Sequence, residues 1–196
     1  MEYQSSPELR QAIIDAKRGD ERAVTTLYRA FNPPLMRFLN ARTRLEAEDI
    51  ASGVWLSIAK NIATFEGDDR DFRAWMFSTA RRRTIDLHRR QKARPATDGI
   101  QDFYRFADHY KAPDTDDQLE INQAIAELID GLPDDQAEIL LLRVVAGLSS
   151  KEVAQITARS ETSVRVTQHR AIKFLSKKNS SKNVTPESRS AFSKEL

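Results

Sequence analysis

Cysteine is absent from the chain, which excludes disulfides and thiolate chemistry and fits a reducing cytosol. Histidine is nearly absent too: His88, His109 and His169 lie far apart, and neither an HExxH pair nor a Gly-rich phosphate loop occurs. A nuclease or recombinase therefore has nothing to stand on, and no catalytic residue, metal site or cofactor is expected. No apolar run approaches a membrane span, and the opening MEYQSSPELRQ lacks an apolar h-region, so a soluble cytoplasmic protein with no membrane insertion of its own is expected. Net charge is close to nil at +2, yet basic and acidic stretches are segregated along the chain. An apolar content of 40% over 196 residues allows one or two domains, each with a modest core.

What the chain does have is helical periodicity. Leu9, Ala12, Ile13 and Ala16 predict a short helix ending at Gly19, and Asp20 caps a second with Ala23, Val24, Leu27, Tyr28 and Phe31 on one face. Asn32-Pro33-Pro34 is read as a stop and a restart, followed by Leu35, Met36, Phe38 and Leu39. A further helix from about residue 46 to 63 begins acidic, with Glu46, Glu48 and Asp49, and carries Ile50, Val54, Ile58 and Ile62 as its apolar row. No period-two stretch in this half reads as a strand.

Residues 72–94, FRAWMFSTARRRTIDLHRRQKAR, organise the first half. Phe72, Trp75, Met76, Thr79 and Ala80 form an apolar stripe, with Asp71 read as the N-cap. Trp75 sits on that stripe, which favours a core role over a stacking platform. Behind it come Arg81, Arg82, Arg83, Arg89, Arg90, Lys92 and Arg94 against the single acid Asp86. Basic residues suit a helix C-terminus, but so many would repel one another unless a polyanion lies alongside, so nucleic acid is the favoured partner. Asp68, Asp69 and Asp71 precede the stripe; a metal site there is discounted, since no His or Glu at helical spacing completes a coordination shell.

Residues 95–120 change character. Asp98, Asp102, Asp108, Asp114, Asp116, Asp117 and Glu120, with Pro95, Gly99 and Pro113 as breakers, predict an acidic linker. Phe103, Tyr104, Phe106 and Tyr110 within it suit docking on a partner or on the chain's own domains. Helical periodicity returns with Ile125, Leu128, Ile129 and Leu132, breaks at Pro133, and resumes with Ile139, Leu140, Leu142, Val144 and Val145 before Gly147. Ser149 and Glu152 make a capping box for a helix that buries Val153, Ala154 and Ile156. After the turn at Ala158, Arg159 and Ser160, a last helix has Val164, Ala171, Ile172 and Leu175 on its apolar side, and Arg165, Thr167, Gln168, His169, Arg170 and Lys173 outward. A capped helix, a tight turn and a helix with basic and amide side chains outward is a helix-turn-helix pattern. From Ser176 the tail turns Ser- and Lys-rich and reads as disordered.

The two halves together resemble a bacterial extracytoplasmic-function sigma factor of the sigma-70 superfamily. The resemblance covers residues 8–94 and 120–177. FRAWMFSTARRRTIDLHRRQ is similar to the part of the family's second region that melts and reads the −10 promoter element. EAEDIASGVWLSI resembles the helix of that region that docks on the RNA polymerase clamp, and LPDDQAEILLLRVVAGLSSKEVAQI with SVRVTQHRAIKFL resembles the fourth region, which reads the −35 element. Four positions depart from the family: Ser52-Gly53 stand for its usual Gln-Glu, Arg82 for an Asn, and Ala158 for the Gly of the turn. A positive φ at Ala158 would cost on the order of 1 kcal/mol.

The resemblance implies an all-α chain of two small domains, region 2 at 8–94 and region 4 at 121–177, joined by the flexible acidic linker 95–120 and followed by a disordered tail at 178–196. It implies an alternative sigma factor, an initiation factor rather than an enzyme. Its partners would be core RNA polymerase (clamp and flap), promoter DNA and an anti-sigma factor. Carried over by position, Glu48, Asp49, Ser52 and Trp55 would face polymerase. The loop 65–71, with Phe65, Gly67, Asp68 and Asp69, would hold an extruded −10 base, while Arg81, Arg82, Arg83, Arg89 and Arg90 track the backbone. Arg165, Gln168 and His169 would read −35 base edges with Thr167 beside them, and Arg159, Arg170 and Lys173 suit phosphates. His169 is equally readable as a packing residue. An operator-binding helix-turn-helix regulator is the alternative, but it leaves the first half's basic and acidic helices without a job.

Overall fold

The computed structural model describes residues 3–93 and 116–182. Every regular element among them is helical: α1 (Pro7–Lys17), α2 (Glu21–Thr43), α3 (Ala47–Asn61), α4 (Asp69–Ala93), α5 (Asp116–Ile129), α6 (Asp134–Val144), α7 (Ser150–Thr157) and α8 (Glu161–Lys182). Short 3-10 turns, Arg44–Glu46 and Ile62–Thr64, flank α3. The aromatic residues Phe103, Tyr104, Phe106 and Tyr110 lie outside the described residues.

Most of the apolar rows close as their spacing requires. Ile50, Val54, Ile58 and Ile62 of the α3 row are all buried, as are Phe72, Met76 and Ala80 of α4. The break expected at Asn32 does not occur, because α2 runs unbroken through Pro33 and Pro34. Each interior proline removes an amide donor and costs about 3 kcal/mol or more. Four side chains on one continuous face, Phe31, Leu35, Phe38 and Leu39, are buried, at roughly 1.5–3 kcal/mol each, and offset that cost. Arg29 and Ala30, whose carbonyls lose their partners, are exposed, so water can serve them.

The start of α4 also differs from expectation. Asp68, not Asp71, is the cap: its Oδ1 accepts from the N–H groups of Arg70 at 2.8 Å and Asp71 at 3.0 Å. Asp71 reaches back to accept from the Asp68 N–H at 3.0 Å, completing a reciprocal box built from two aspartates.

In the second half, Ile139, Leu140 and Leu142 are buried, but Val144 is 58% exposed because α6 ends there and turns its last residue outward. Ile172, expected on the apolar side of α8, is also exposed. Ser149 and Glu152 form both arms of the capping box, at 2.6 Å and 3.2 Å. Helix α5 begins at Asp116, inside the stretch read as linker, and α8 continues to Lys182, inside the stretch read as tail. The two halves do not stand apart. Ile139, Leu141, Leu142, Val153 and Val164 belong to the same buried cluster as Leu27, Phe31, Val54 and Phe72, with α5 against α2 and α7 against α4.

Candidate promoter and polymerase interface

Three surfaces carry the residues singled out by sequence. On α3, Glu48, Asp49 and Ser52 are exposed at helical spacing, while Trp55 is half-buried and donates its indole N–H to Asn32 Oδ1 at 3.0 Å. Its ring lies 5.0 Å from that of Tyr28, whose hydroxyl is pushed above its usual value by burial and by Glu48. Leu45, 94% exposed, and Leu56 flank this acidic row, and periodicity did not single them out. An acidic ridge edged by exposed leucines is a protein-docking surface in composition.

The second surface is the loop before α4 together with the basic end of that helix. Phe65 is half-buried, stacked on Trp75 with centroids 5.2 Å apart and planes at 14°. Lys17 Nζ donates to the Phe65 carbonyl at 2.7 Å, which fixes the loop against α1. Gly67 has φ +135, and a Cβ there would lie 2.6 Å from that of Asp71, so the tight entry to α4 requires glycine. Gly67 and Asp68 are exposed.

Asp69 is not part of that open face. It is 0% exposed and accepts from Tyr3 Oη at 2.8 Å, Ser5 Oγ and the Ser6 N–H at 2.9 Å, with Arg10 at 3.4 Å. Burial pushes its carboxyl up, but the hydrogen bonds from Ser5, Ser6 and Tyr3 outweigh this and hold it below its ordinary value. The −10 role expected for Asp69 is therefore corrected: in this conformation it is a buried anchor.

Arg82, Arg83, Arg89 and Arg90 are exposed along α4. Arg81 departs from the expected role in this conformation, because it turns toward the second half. Its Nε and Nη2 reach Glu138 at 3.2 Å and 3.3 Å, and Nη1 donates to the Ile156 carbonyl at 3.3 Å. Arg73, which sequence reasoning passed over, is buried. Its guanidinium sits 4.6 Å from the Tyr3 ring centroid and donates to the carbonyls of Ala146 and Val145. Burial pushes it down to about 10. The signal was present, since Arg73, Phe77, Ala80 and Thr84 recur at i, i+4, i+7 and i+11 and form a second buried row on α4.

The third surface is α8. Arg165, His169, Arg170 and Lys173 are exposed on it, with Arg165 paired to Glu161 one turn back. Gln168 is half-buried and accepts from Arg143 Nε at 3.1 Å. Thr167 is a correction: at 8% exposure it is packed beneath the helix, not outward. Arg159 lies exposed at the turn and pairs with Asp135 at 3.3 Å. Ala158 takes the left-handed conformation, φ 54 and ψ 41, so an alanine carries the backbone that a glycine usually supplies.

The described residues hold no group of His, Asp and Glu that could bind a metal ion, and no helix among them is long and apolar enough to cross a membrane. Two cationic helices and an acidic, leucine-edged one are the candidate surfaces for a polyanion and for protein.

Comparison with known proteins gives the same order of parts. Residues 27–94 match sigma-70 region 2, and residues 122–175 match sigma-70 region 4. The ECF RNA polymerase sigma factor SigD of Mycobacterium tuberculosis is 30% identical over 176 residues, spanning 83% of this chain and 80% of SigD. ShbA of Streptomyces griseus, another ECF RNA polymerase sigma factor, is 29% identical over 170 residues, spanning 82% and 89%. The solved structure of CnrH in complex with the cytosolic domain of CnrY shares the fold at a TM-score of 0.63, with 21% identity over 89% of this chain and 98% of that one. The chain belongs to the extracytoplasmic-function RNA polymerase sigma factors, which are transcription initiation factors.

Proposed function

We propose that residues 8–94 form the unit that docks on the polymerase clamp and opens the −10 element. Residues 121–177 form the unit that reads the −35 element against the polymerase flap. The exposed row Glu48, Asp49 and Ser52 meets polymerase, with Trp55 bracing it from below. Phe65, Gly67 and Asp68 receive an extruded base, whose unstacking costs a few kcal/mol that stacking and hydrogen bonds must return. Arg82, Arg83, Arg89 and Arg90 follow the phosphates, and Arg81 joins them once released from Glu138. Arg165, Gln168 and His169 face base edges, while Arg159, Arg170 and Lys173 hold phosphates.

The protein works in the cytoplasm and has no catalytic site of its own; polymerase supplies the chemistry. CnrH is found in complex with the cytosolic domain of CnrY, and for this chain the corresponding partner is an anti-sigma factor. The carrying observation is the pair of separate cationic helices, α4 and α8, on one chain with an acidic docking helix. Two modest DNA contacts gain avidity only when presented at the right spacing, which polymerase would set. Run-off transcription with bacterial core polymerase on a promoter library tests this. Initiation that depends on the added chain is expected. Tight operator binding by the chain alone, with core polymerase neither bound nor activated, would favour a stand-alone regulator instead.

A further inference from the structure

We infer that residues 3–6 are an intramolecular latch, tying the helix-turn-helix half to the start of α4 and holding Asp69 turned in behind the open face of the loop 65–71 until they are displaced. The inference rests on the −10 reading of that loop. Tyr3 reaches both halves. Its N–H donates to the Gly147 carbonyl at 2.9 Å in the second half, and its hydroxyl donates to Asp69 at 2.8 Å in the first. Its carbonyl accepts from Arg70 Nη2 at 3.2 Å, within the loop itself. Its ring lies under the Arg73 guanidinium, which in turn donates to Ala146.

The closeness is built in on both sides. A Cβ at Gly147 would stand 3.2 Å from the Tyr3 nitrogen and 3.3 Å from its Cβ, and this glycine has φ +64. The same backbone turn that ends α6 therefore leaves room for the strap. On the other side, Asp69 draws its side-chain and Ser6 hydrogen bonds from the strap: Tyr3, Ser5 and Ser6. Lifting the strap strips a buried carboxylate of these donors and frees it to join the loop's open face, so strap and Asp69 form one two-state unit. Most of the strap's contacts are hydrogen bonds, with the Tyr3 ring against Phe31 at 6.1 Å and beneath Arg73, so a few residues hold the two states apart.

The test uses the whole chain. Because it has no native cysteine, Lys60→Cys and Lys151→Cys place one fluorophore pair across the halves. Three forms are compared: intact, with residues 2–6 deleted, and with Tyr3→Phe plus Ser5→Ala, which keeps the length and loses two donors. Deletion should lengthen the label separation and raise the free chain's affinity for a single-stranded −10 oligonucleotide about tenfold, with an intermediate gain for the double substitution. Circular dichroism confirms that each form stays helical; if the deletion unfolds, the double substitution decides. An unchanged separation overturns the latch, and a longer separation with no gain in affinity overturns its role in withholding Asp69 from the loop. Holoenzyme made with each form separates the two ideas. If it ignores the −10 sequence and Gly67 and Asp68 substitutions alike, the loop reading fails, and the label separation alone decides the latch.

Discussion

Ala158 offers the cleanest quantitative test of the helix-turn-helix geometry. It closes α7 with φ 54 and ψ 41, and its N–H turns back to Ala154 and Gln155 while the Arg159 N–H reaches Ala154 at 3.0 Å. A left-handed conformation costs an L-residue about 1–2 kcal/mol through its Cβ. Glycine removes that cost but gives the unfolded chain about 0.4–1 kcal/mol of extra entropy. Ala158→Gly should therefore stabilise the protein by about 0.5–1 kcal/mol, a rise in Tm of about 1–4 °C for a chain of this size. The side chain is exposed, so no contact is lost. Scanning calorimetry should be run beside Ala124→Gly, an exposed site inside α5, where the same exchange should cost about 1 kcal/mol. If both exchanges destabilise alike, Ala158 is not left-handed in solution, and the angle between α7 and α8 is set differently.

Three further outcomes are expected. Gly53→Ala should stabilise α3 by about 1 kcal/mol, because the added Cβ meets only the end of the exposed Arg83 side chain, at 2.7 Å, which can swing aside; a fall in Tm would mean that Arg83 is fixed there. Arg165→Ala should cost about 1–3 kcal/mol on one −35 sequence and relax one base position, while Lys173→Ala should weaken all promoters alike and lower the salt slope by about one. Equal losses across promoters for Arg165→Ala would remove its base-reading role. In acid, the stabilisation from Asp69 follows from its lowered folded value: it is complete above the ordinary 3.8 and disappears as pH falls through the folded value. The label separation across the halves should grow over that window in the intact chain, and Asp69→Asn should abolish the pH dependence.

Local rules carried the sequence reading a long way. The capping box at Ser149 and Glu152, the α3 row and the exposure of Arg82, Arg83, Arg89 and Arg90 on α4 depend on residues within two turns, and all are where their spacing puts them. Failures came where distant partners decide. Pro33 and Pro34 look like a break until the buried face of α2 is counted. Asp69 looks like a loop carboxylate, because its partners lie 63 to 66 positions away. Arg73 shares a row with Phe77, Ala80 and Thr84 that marks it as buried, but nothing nearby in sequence announces its partners, the carbonyls of Val145 and Ala146. Thr167 sits one step from the polar face of α8, within the angular error of any helical wheel.

The shared core has a consequence for how such a factor responds to its own abundance. A separate inhibitor loses its grip on dilution, but a domain tethered to the surface it covers acts at a local concentration that expression cannot change. If promoter binding needs Arg81 freed from Glu138, the closed fraction is a fixed tax on every molecule, and the apparent affinity for the −10 element falls by the same ratio in scarce and plentiful conditions. Each about 1.4 kcal/mol added to the contact between the halves raises that tax tenfold. Substitutions that harden this chain at Arg73, Arg81 or Glu138 should therefore quiet it, so thermal robustness and transcriptional output trade against each other across one seam.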